Sequence, residues 1–205
     1  MTDGRSNLVS TLPMKKLKQM ILRDGVALND HVLLVDSFLN HQIDISLMTE
    51  IGREFAKIFA DVGATRIATV ESSGIAPAFA TAEAMGLPLV VMKKQVSTIL
   101  TEDLIQIPVM SYTKGGTYLL TVKRKFIDKH DRVLFIDDFL AVGEAALGAA
   151  KLIETAGAAV AGIGIVIEKA FQHGKKRLQE AGYAVISLAA ISHMGENVIE
   201  FEGDL

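Results

Sequence analysis

Thirteen residues carry the densest chemistry in the chain: Val133-Leu134-Phe135-Ile136-Asp137-Asp138-Phe139-Leu140-Ala141-Val142-Gly143-Glu144-Ala145. The apolar run Val133 to Ile136 predicts a buried strand, and the two carboxylates follow it directly. Adjacent carboxylates repel each other, which costs free energy unless a cation or a hydroxyl-rich ligand relieves it. The turn after them, Ala141 to Ala145, is built of small residues around Gly143 and opens a helix. Backbone N–H groups at such a helix start converge on one spot and favour an anion. Acids that can accept from sugar hydroxyls, next to an anion cradle, fit a phosphorylated ribose. Read alone, the same residues also fit a capped loop with solvated acids.

A second segment with anion chemistry is Glu71-Ser72-Ser73-Gly74, placed between a predicted strand and a predicted helix. Its serines and free N–H groups suit a phosphate, although the segment equally reads as an N-capping turn. Lys93 and Lys94 close another predicted strand. From Lys93 to Lys129, seven Lys/Arg stand against three acids, a local +4 within a chain of net charge −3. This stretch reads either as a solvated hairpin or as a mobile loop that meets an anionic ligand. Lys169 follows a predicted strand, where a lysine is commonly solvated. The five histidines (31, 41, 130, 173 and 193) are scattered without metal-ligand spacing.

The elements that must position these groups follow from periodicity. Met14 to Asp24 reads as a short helix ended by Gly25, and His31 to Phe38 as a strand. Asp44 is a predicted N-cap, followed by Leu47, Met48, Ile51, Phe55, Ile58, Phe59 and Val62 at helical spacing, with Gly63 closing the helix. Strands are expected at Arg66 to Glu71, Leu87 to Met92, Val133 to Ile136, Val160 to Ile167 and Tyr183 to Leu188. Helices are expected at Gly74 to Met85, Glu144 to Ala156 and Gly174 to Ala181. Val109 to Thr113 and Thr117 to Arg124 read as a hairpin around Gly115-Gly116, while Gln95 to Pro108 has no period. Short apolar strands alternating with helices predict an α/β fold, a mainly parallel central sheet flanked by helices. Ligands of such sheets bind beyond the carboxyl ends of the strands, where the acid pair and Lys169 are expected.

Composition bounds the remaining choices. The chain has 205 residues, 50% hydrophobic and 22% charged, which is ordinary for one folded domain and excludes wholesale disorder. With no cysteine, a disulfide scaffold, a thiolate metal site and a cysteine nucleophile are all excluded. The acidic balance argues against a general nucleic-acid binder. No apolar run reaches transmembrane length and residues 1–14 carry no export signal, so a cytoplasmic protein without a membrane partner is expected.

Beyond these readings, the chain resembles the bacterial xanthine phosphoribosyltransferases of the type I phosphoribosyltransferase family, from about Met14 to Ser192. The resemblance rests on VDSFLNHQID (35–44), ESSGIAPA (71–78), SYTK (111–114), IDDFLAVGEA (136–145) and GIGIVIEKAF (162–171), in that order. Val142 and Ala145 stand where the wider family commonly has hydroxyl residues, a departure shared by this subfamily. The resemblance implies transfer of phosphoribose from phosphoribosyl diphosphate (PRPP) to xanthine, with pyrophosphate released and Mg²⁺ as cofactor. It implies that Asp137 and Asp138 hold the ribose and offset charge at C1. Ala141, Val142, Gly143, Glu144 and Ala145 would bind the 5′-phosphate, and Glu71, Ser72, Ser73, Gly74, Lys93 and Lys94 the pyrophosphate. Leu33, Asn40 and Lys169 would contact the base, with Phe171 either against the purine or in the core. Tyr112 and Lys114 would belong to a closing flexible loop, about 95–131. No side chain is expected to ligate the metal directly. The resemblance further implies one domain over 14–205 after a tail at 1–13, with a small hood from about 14–45 and 168–205, and a homodimer. Two alternatives stay open: a guanine or hypoxanthine enzyme of the same fold, and a non-catalytic sensor of PRPP.

Overall fold

The computed structural model describes residues 14–94, 103–111, 115–196 and 198–203. In chain order the elements are α1 (Lys15–Asp24), β1 (Val26–Ala27), β2 (Leu33–Leu34), a π-helical turn (Asp36–Asn40), α2 (Ile45–Ile58), β3 (Arg66–Val70), α3 (Ile75–Met85), β4 (Leu89–Met92), β5 (Leu104–Met110), β6 (Thr117–Lys123), β7 (Arg132–Leu140), α4 (Glu144–Thr155), β8 (Ala159–Lys169), α5 (Gly174–Glu180), β9 (Val185–Gly195) and β10 (Val198–Phe201). A six-stranded sheet has the order β10-β9-β8-β7-β3-β4 and is parallel except for β10.

The order of that sheet locates the site. From β3 the chain steps outward to β4, whereas from β7 it steps the other way through β8 to β9. The direction of winding therefore reverses between the neighbours β3 and β7, and a crevice opens beyond their carboxyl ends. Glu71 to Gly74 follows β3, and Asp137 to Ala145 runs through the end of β7.

Two apolar layers clamp the sheet. One holds α1, α2 and α3, with Leu17, Ile21, Leu47, Ile51 and Phe55 buried against Leu134, Ile136 and Val166. The Asp44 side chain caps α2 by accepting from the Leu47 N–H at 2.8 Å, as its position predicts. Gly52 lets α2 lie directly on α3, since a Cβ there would fall 2.3 Å from the Ala80 carbonyl oxygen. The other layer is built by α4, α5 and the β5–β6 hairpin, with Ile105, Val109, Leu120 and Val122 packed against Phe135, Leu152 and Ile163.

Four expectations are corrected. The span His31 to Phe38 is a strand only at Leu33–Leu34. The Asn29 side chain accepts from the His31 and Val32 N–H groups, which bends the chain before it. After it, the buried residues Val35, Phe38 and Leu39 recur at helical spacing and the turn closes on the Asp36 carbonyl. The first hairpin strand begins at Leu104, five residues before Val109, and covers part of the stretch read as aperiodic. β7 and β8 run on past Ile136 and Ile167, so Asp137, Asp138 and Lys169 lie within strands. Their pairing continues through Asp137↔Ile165 and Lys169↔Ile191, because backbone ladders accept polar side chains at a sheet end. Finally, β9 extends to Gly195 and the tail returns as β10, with Phe201 buried.

Candidate active site

Asp137 is buried, 7% exposed, with Asp138 beside it partly open. Asp137 Oδ1 accepts from the Asp138 N–H at 3.0 Å. Burial first, then the neighbouring charge of Asp138, pushes the Asp137 carboxyl well above its ordinary value. Asp138 is also raised, by burial, against the hydrogen bonds that lower it. Burial dominates both shifts, the charge of Asp138 adds to it at Asp137, and the nearby Lys94 ammonium offsets part of it at each; hydroxyl donors or a cation placed there would be drawn in.

The end of β3 meets the acids through Gly74. A Cβ at this glycine would lie 2.4 Å from Thr69 Oγ1 and 2.5 Å from Asp137 Oδ1, so no larger residue fits. The Glu71–Ser72 peptide is cis. Glu71 ties this turn to the end of β4: its Oε1 accepts from the Lys94 N–H at 2.6 Å, and its Oε2 lies 3.2 Å from Lys93 Nζ. Burial pushes Glu71 up, but the Lys94 N–H and the Lys93 ammonium outweigh it and leave the carboxyl below its ordinary value. Lys93 in turn bridges to Thr121 through two backbone hydrogen bonds, which docks the hairpin on the sheet edge.

The turn at Ala141 to Ala145 lines a cavity of about 170 Å³ with Lys94, Met110, Ser111, Tyr118 and Phe139. Gly143 sits at φ +88°, a left-handed conformation that glycine adopts without cost, and it leads directly into α4. The first N–H groups of a helix have no intrahelical acceptor and are free for an anion.

Lys169 is partly buried, and burial lowers its ammonium below the ordinary value. It donates to the His31 carbonyl oxygen and lies 5.4 Å from the centre of the Phe139 ring. The segment before β2 is thereby brought over the end of β8.

The structure thus gathers Asp137, Asp138, Gly74, Glu71, Lys93, Lys94 and the 141–145 turn at the β3/β7 crevice. Ser72, Ser73 and Asn40 instead line a larger groove of about 690 Å³, shared with Ile43, Ile45 and Phe79. Leu33 is 6% exposed, its side chain in the core beside α1 and α2. Phe171 is partly buried against the same core. Tyr112 and Lys114 lie outside the described residues. Sequence reasoning missed Tyr118 and Phe139 as cavity walls and Arg177 as a partner of the turn. Tyr118 lies within the basic stretch already singled out. Arg177, one of three consecutive basic residues on a surface helix, had no signal of its own.

Comparison with known proteins decides the family. The chain is 56% identical over 188 residues to a xanthine phosphoribosyltransferase of Clostridium acetobutylicum, covering 92% of this chain and all of that one. This chain belongs to the xanthine phosphoribosyltransferase family. A family member from Streptococcus pneumoniae is 49% identical over 193 residues, covering 94% of this chain and all of that protein. No protein-family model matches the chain. Among solved structures, an adenine phosphoribosyltransferase of Giardia lamblia complexed with 9-deazaadenine has TM-score 0.74 at 20% identity, covering 86% of this chain and 98% of that one. Another, from Thermoanaerobacter pseudethanolicus, has TM-score 0.64 at 26% identity, covering 72% and 82%. The fold is that of the type I phosphoribosyltransferases, a mainly parallel sheet flanked by helices.

Proposed function

We propose that the protein is a xanthine phosphoribosyltransferase. N9 of xanthine attacks C1 of the PRPP ribose, the C1–O bond to pyrophosphate breaks with its electron pair leaving on the pyrophosphate, and xanthosine 5′-monophosphate is formed. The N9 proton passes to solvent. The observation that carries this reading is the meeting of an acid pair, a glycine turn opening a helix and a lysine pair at one winding reversal of the sheet.

Each group has a physical task. Asp137 and Asp138 accept from the ribose hydroxyls, and their charge offsets the positive charge that develops at C1. The N–H groups of 141–145 hold the 5′-phosphate. Lys93, Lys94 and the 71–74 turn stabilise the departing pyrophosphate, and Glu71 holds the two lysines in place. The Lys169 ammonium only donates, so it suits a 6-oxo purine and disfavours a 6-amino one. Asn40 and the main chain near Leu33 complete the base contacts.

The donor set fits Mg²⁺. Among the described residues no three His, Cys, Asp or Glu cluster to cage a metal. Mg²⁺ usually keeps several waters and is held largely by substrate phosphates, so it would arrive with the diphosphate and need no direct side-chain ligand, leaving Asp137 and Asp138 to the ribose. When bound, Mg²⁺ would neutralise charge on the diphosphate.

Among the described residues no helix is long and apolar enough to cross a membrane, and we place the enzyme in the cytoplasm. We also infer a homodimer, supported by the exposed apolar residues Phe79 and Ile45, 65% and 73% exposed, on the groove beside Ser72 and Ser73.

The test is nucleotide formation from PRPP and Mg²⁺ with xanthine, guanine, hypoxanthine or adenine supplied separately. Preference for xanthine is expected. Preference for guanine or hypoxanthine would keep the mechanism and overturn the base assignment. Binding of PRPP without turnover would make the protein a sensor.

A further inference from the structure

Glu144 poses a problem for the proposed 5′-phosphate site. It is an acid inside the turn that should receive a dianion, and it lines the same cavity as Ala141, Val142 and Gly143. Left uncompensated, its charge would oppose the ligand. The structure shows what compensates it. Arg177, on α5, donates through Nη2 to Glu144 Oε1 at 2.8 Å. Through Nη1 it also donates to the Val142 carbonyl oxygen. One guanidinium therefore neutralises the acid of the turn and fixes a carbonyl whose lone pairs would otherwise be free to face an anion.

The helix that carries Arg177 is itself fixed. Leu178 is fully buried in the second core layer, and Lys175 lies 3.6 Å from the buried carboxylate of Glu168 on β8. Its first residue, Gly174, backs directly on the turn: a Cβ there would fall 2.2 Å from the Ala141 carbonyl oxygen and 3.0 Å from the Gly143 nitrogen. The turn thus has a rigid wall behind it at Gly174 and a two-pronged clamp at Arg177. Two bonds from one planar group are what arginine supplies and lysine does not.

We propose that Arg177 is a positioning residue for PRPP, holding the 141–145 turn in its phosphate-receiving form and neutralising Glu144 without touching the substrate. This rests on the reading of that turn as the 5′-phosphate site.

The test is steady-state kinetics of wild type, R177A, R177K, E144Q and E144Q/R177A, with ribose 5-phosphate and inorganic pyrophosphate as separate inhibitors. For R177A the KM for PRPP should rise about 10-fold, as expected for loss of charge-assisted hydrogen bonds, while the KM for xanthine stays within about twofold. The inhibition constant of ribose 5-phosphate should rise in parallel and that of pyrophosphate should not. R177K should recover part of the loss. Adding E144Q to R177A should also recover part, because the uncompensated acid is gone, so the double mutant is better than additive. Unchanged PRPP kinetics in R177A would overturn the proposal. So would an equal loss for both substrates, or a double mutant no better than R177A. If R177A does not fold, R177K carries the same comparison of PRPP against xanthine and of ribose 5-phosphate against pyrophosphate. A wild type that neither binds nor consumes PRPP would fail the functional reading itself; a working wild type with an indifferent R177A fails only this inference.

Discussion

Asp137 and Asp138 work against the stability of the chain that carries them. A buried carboxyl whose value is raised holds its proton in the folded state at pH values where the unfolded chain has lost it. Stability therefore falls as pH rises from the ordinary carboxyl range, about pH 4, through the raised value. Replacing both with asparagine keeps an oxygen at position 137 for the Asp138 N–H and removes the repulsion. The double mutant D137N/D138N should melt at a higher temperature than wild type at pH 7, and the gap should narrow as pH falls toward 4. Its turnover should drop about 100-fold or more, the scale of losing electrostatic support for a transition state. Thermal melts across pH and single-turnover assays check both halves. Near-wild-type turnover would remove the acids from the chemistry, and a lower melting temperature at pH 7 would show that the pair is structural. The two carboxylates were legible from sequence because adjacent acids at the end of an apolar run are unfavourable without a ligand. Their burial was not, since it depends on Gly74 approaching from another strand.

At the scale of elements, periodicity sufficed wherever one layer of the fold buries one face. α3 lies where its apolar run places it and α2 starts at its Asp44 cap, but α2 ends at Ile58, short of the Phe59, Val62 and Gly63 end read from spacing; Phe59 and Val62 pack on the core from the turn beyond it. Periodicity failed where a local side chain competes with the ladder, as Asn29 does before β2, and at β10, where pairing with β9 adds an element the tail does not announce. The join of β3 to β7 was equally hidden, yet it sets the crevice. Beside the backbone ladder, Asp131 fastens its start: Oδ1 accepts from Thr65 Oγ1 at 2.9 Å, and Oδ2 accepts from Arg66 Nε and the Asp128 N–H at 3.0 Å each. Burial raises this carboxyl, but those donors outweigh it and hold it below its ordinary value. Its contribution is therefore present above the ordinary carboxyl range and lost as pH falls through the lowered value, the opposite sign to Asp137. D131A should cost about 1.5 kcal/mol, chiefly the charge-assisted bond to half-buried Arg66, since Thr65 and Asp128 are exposed and their donors regain water, or ~3–6 °C in Tm. The deficit should close in acid. Melting curves of D131A at pH 7 equal to wild type would show that β3 and β7 are joined by their backbones and packing alone.

Across the whole molecule, the site is assembled from segments far apart in sequence, and the proposed selection of the base rests on one distant pair. Lys169, at the end of β8, is bound to the carbonyl of His31, 138 residues earlier. That bond brings the segment before β2 over the crevice. Its donor is the one group of the proposed base site whose chemistry distinguishes an oxo from an amino purine. The phosphate side is built separately, from β3, β4, β7 and α5. Division of labour between the two ends of PRPP and the base makes a sharp expectation. K169A should lower kcat/KM for xanthine about 10–150-fold, the cost of losing a charged hydrogen bond of about 1.5–3 kcal/mol. The KM for PRPP should change by less than about threefold, and the ratio of xanthine to adenine use should fall, because the donor that disfavours a 6-amino group is gone. R177A should show the reverse pattern, PRPP impaired and xanthine spared. Equal losses of both substrates in K169A would mean that Lys169 serves the ribose or the fold through its bond to His31. A K169M variant keeps an unbranched stem of similar size but removes the ammonium that lies over Phe139 and binds the His31 carbonyl: retained PRPP affinity with lost xanthine use would tie that ammonium to the base side of the site, and loss of both would tie it to the ribose or the fold.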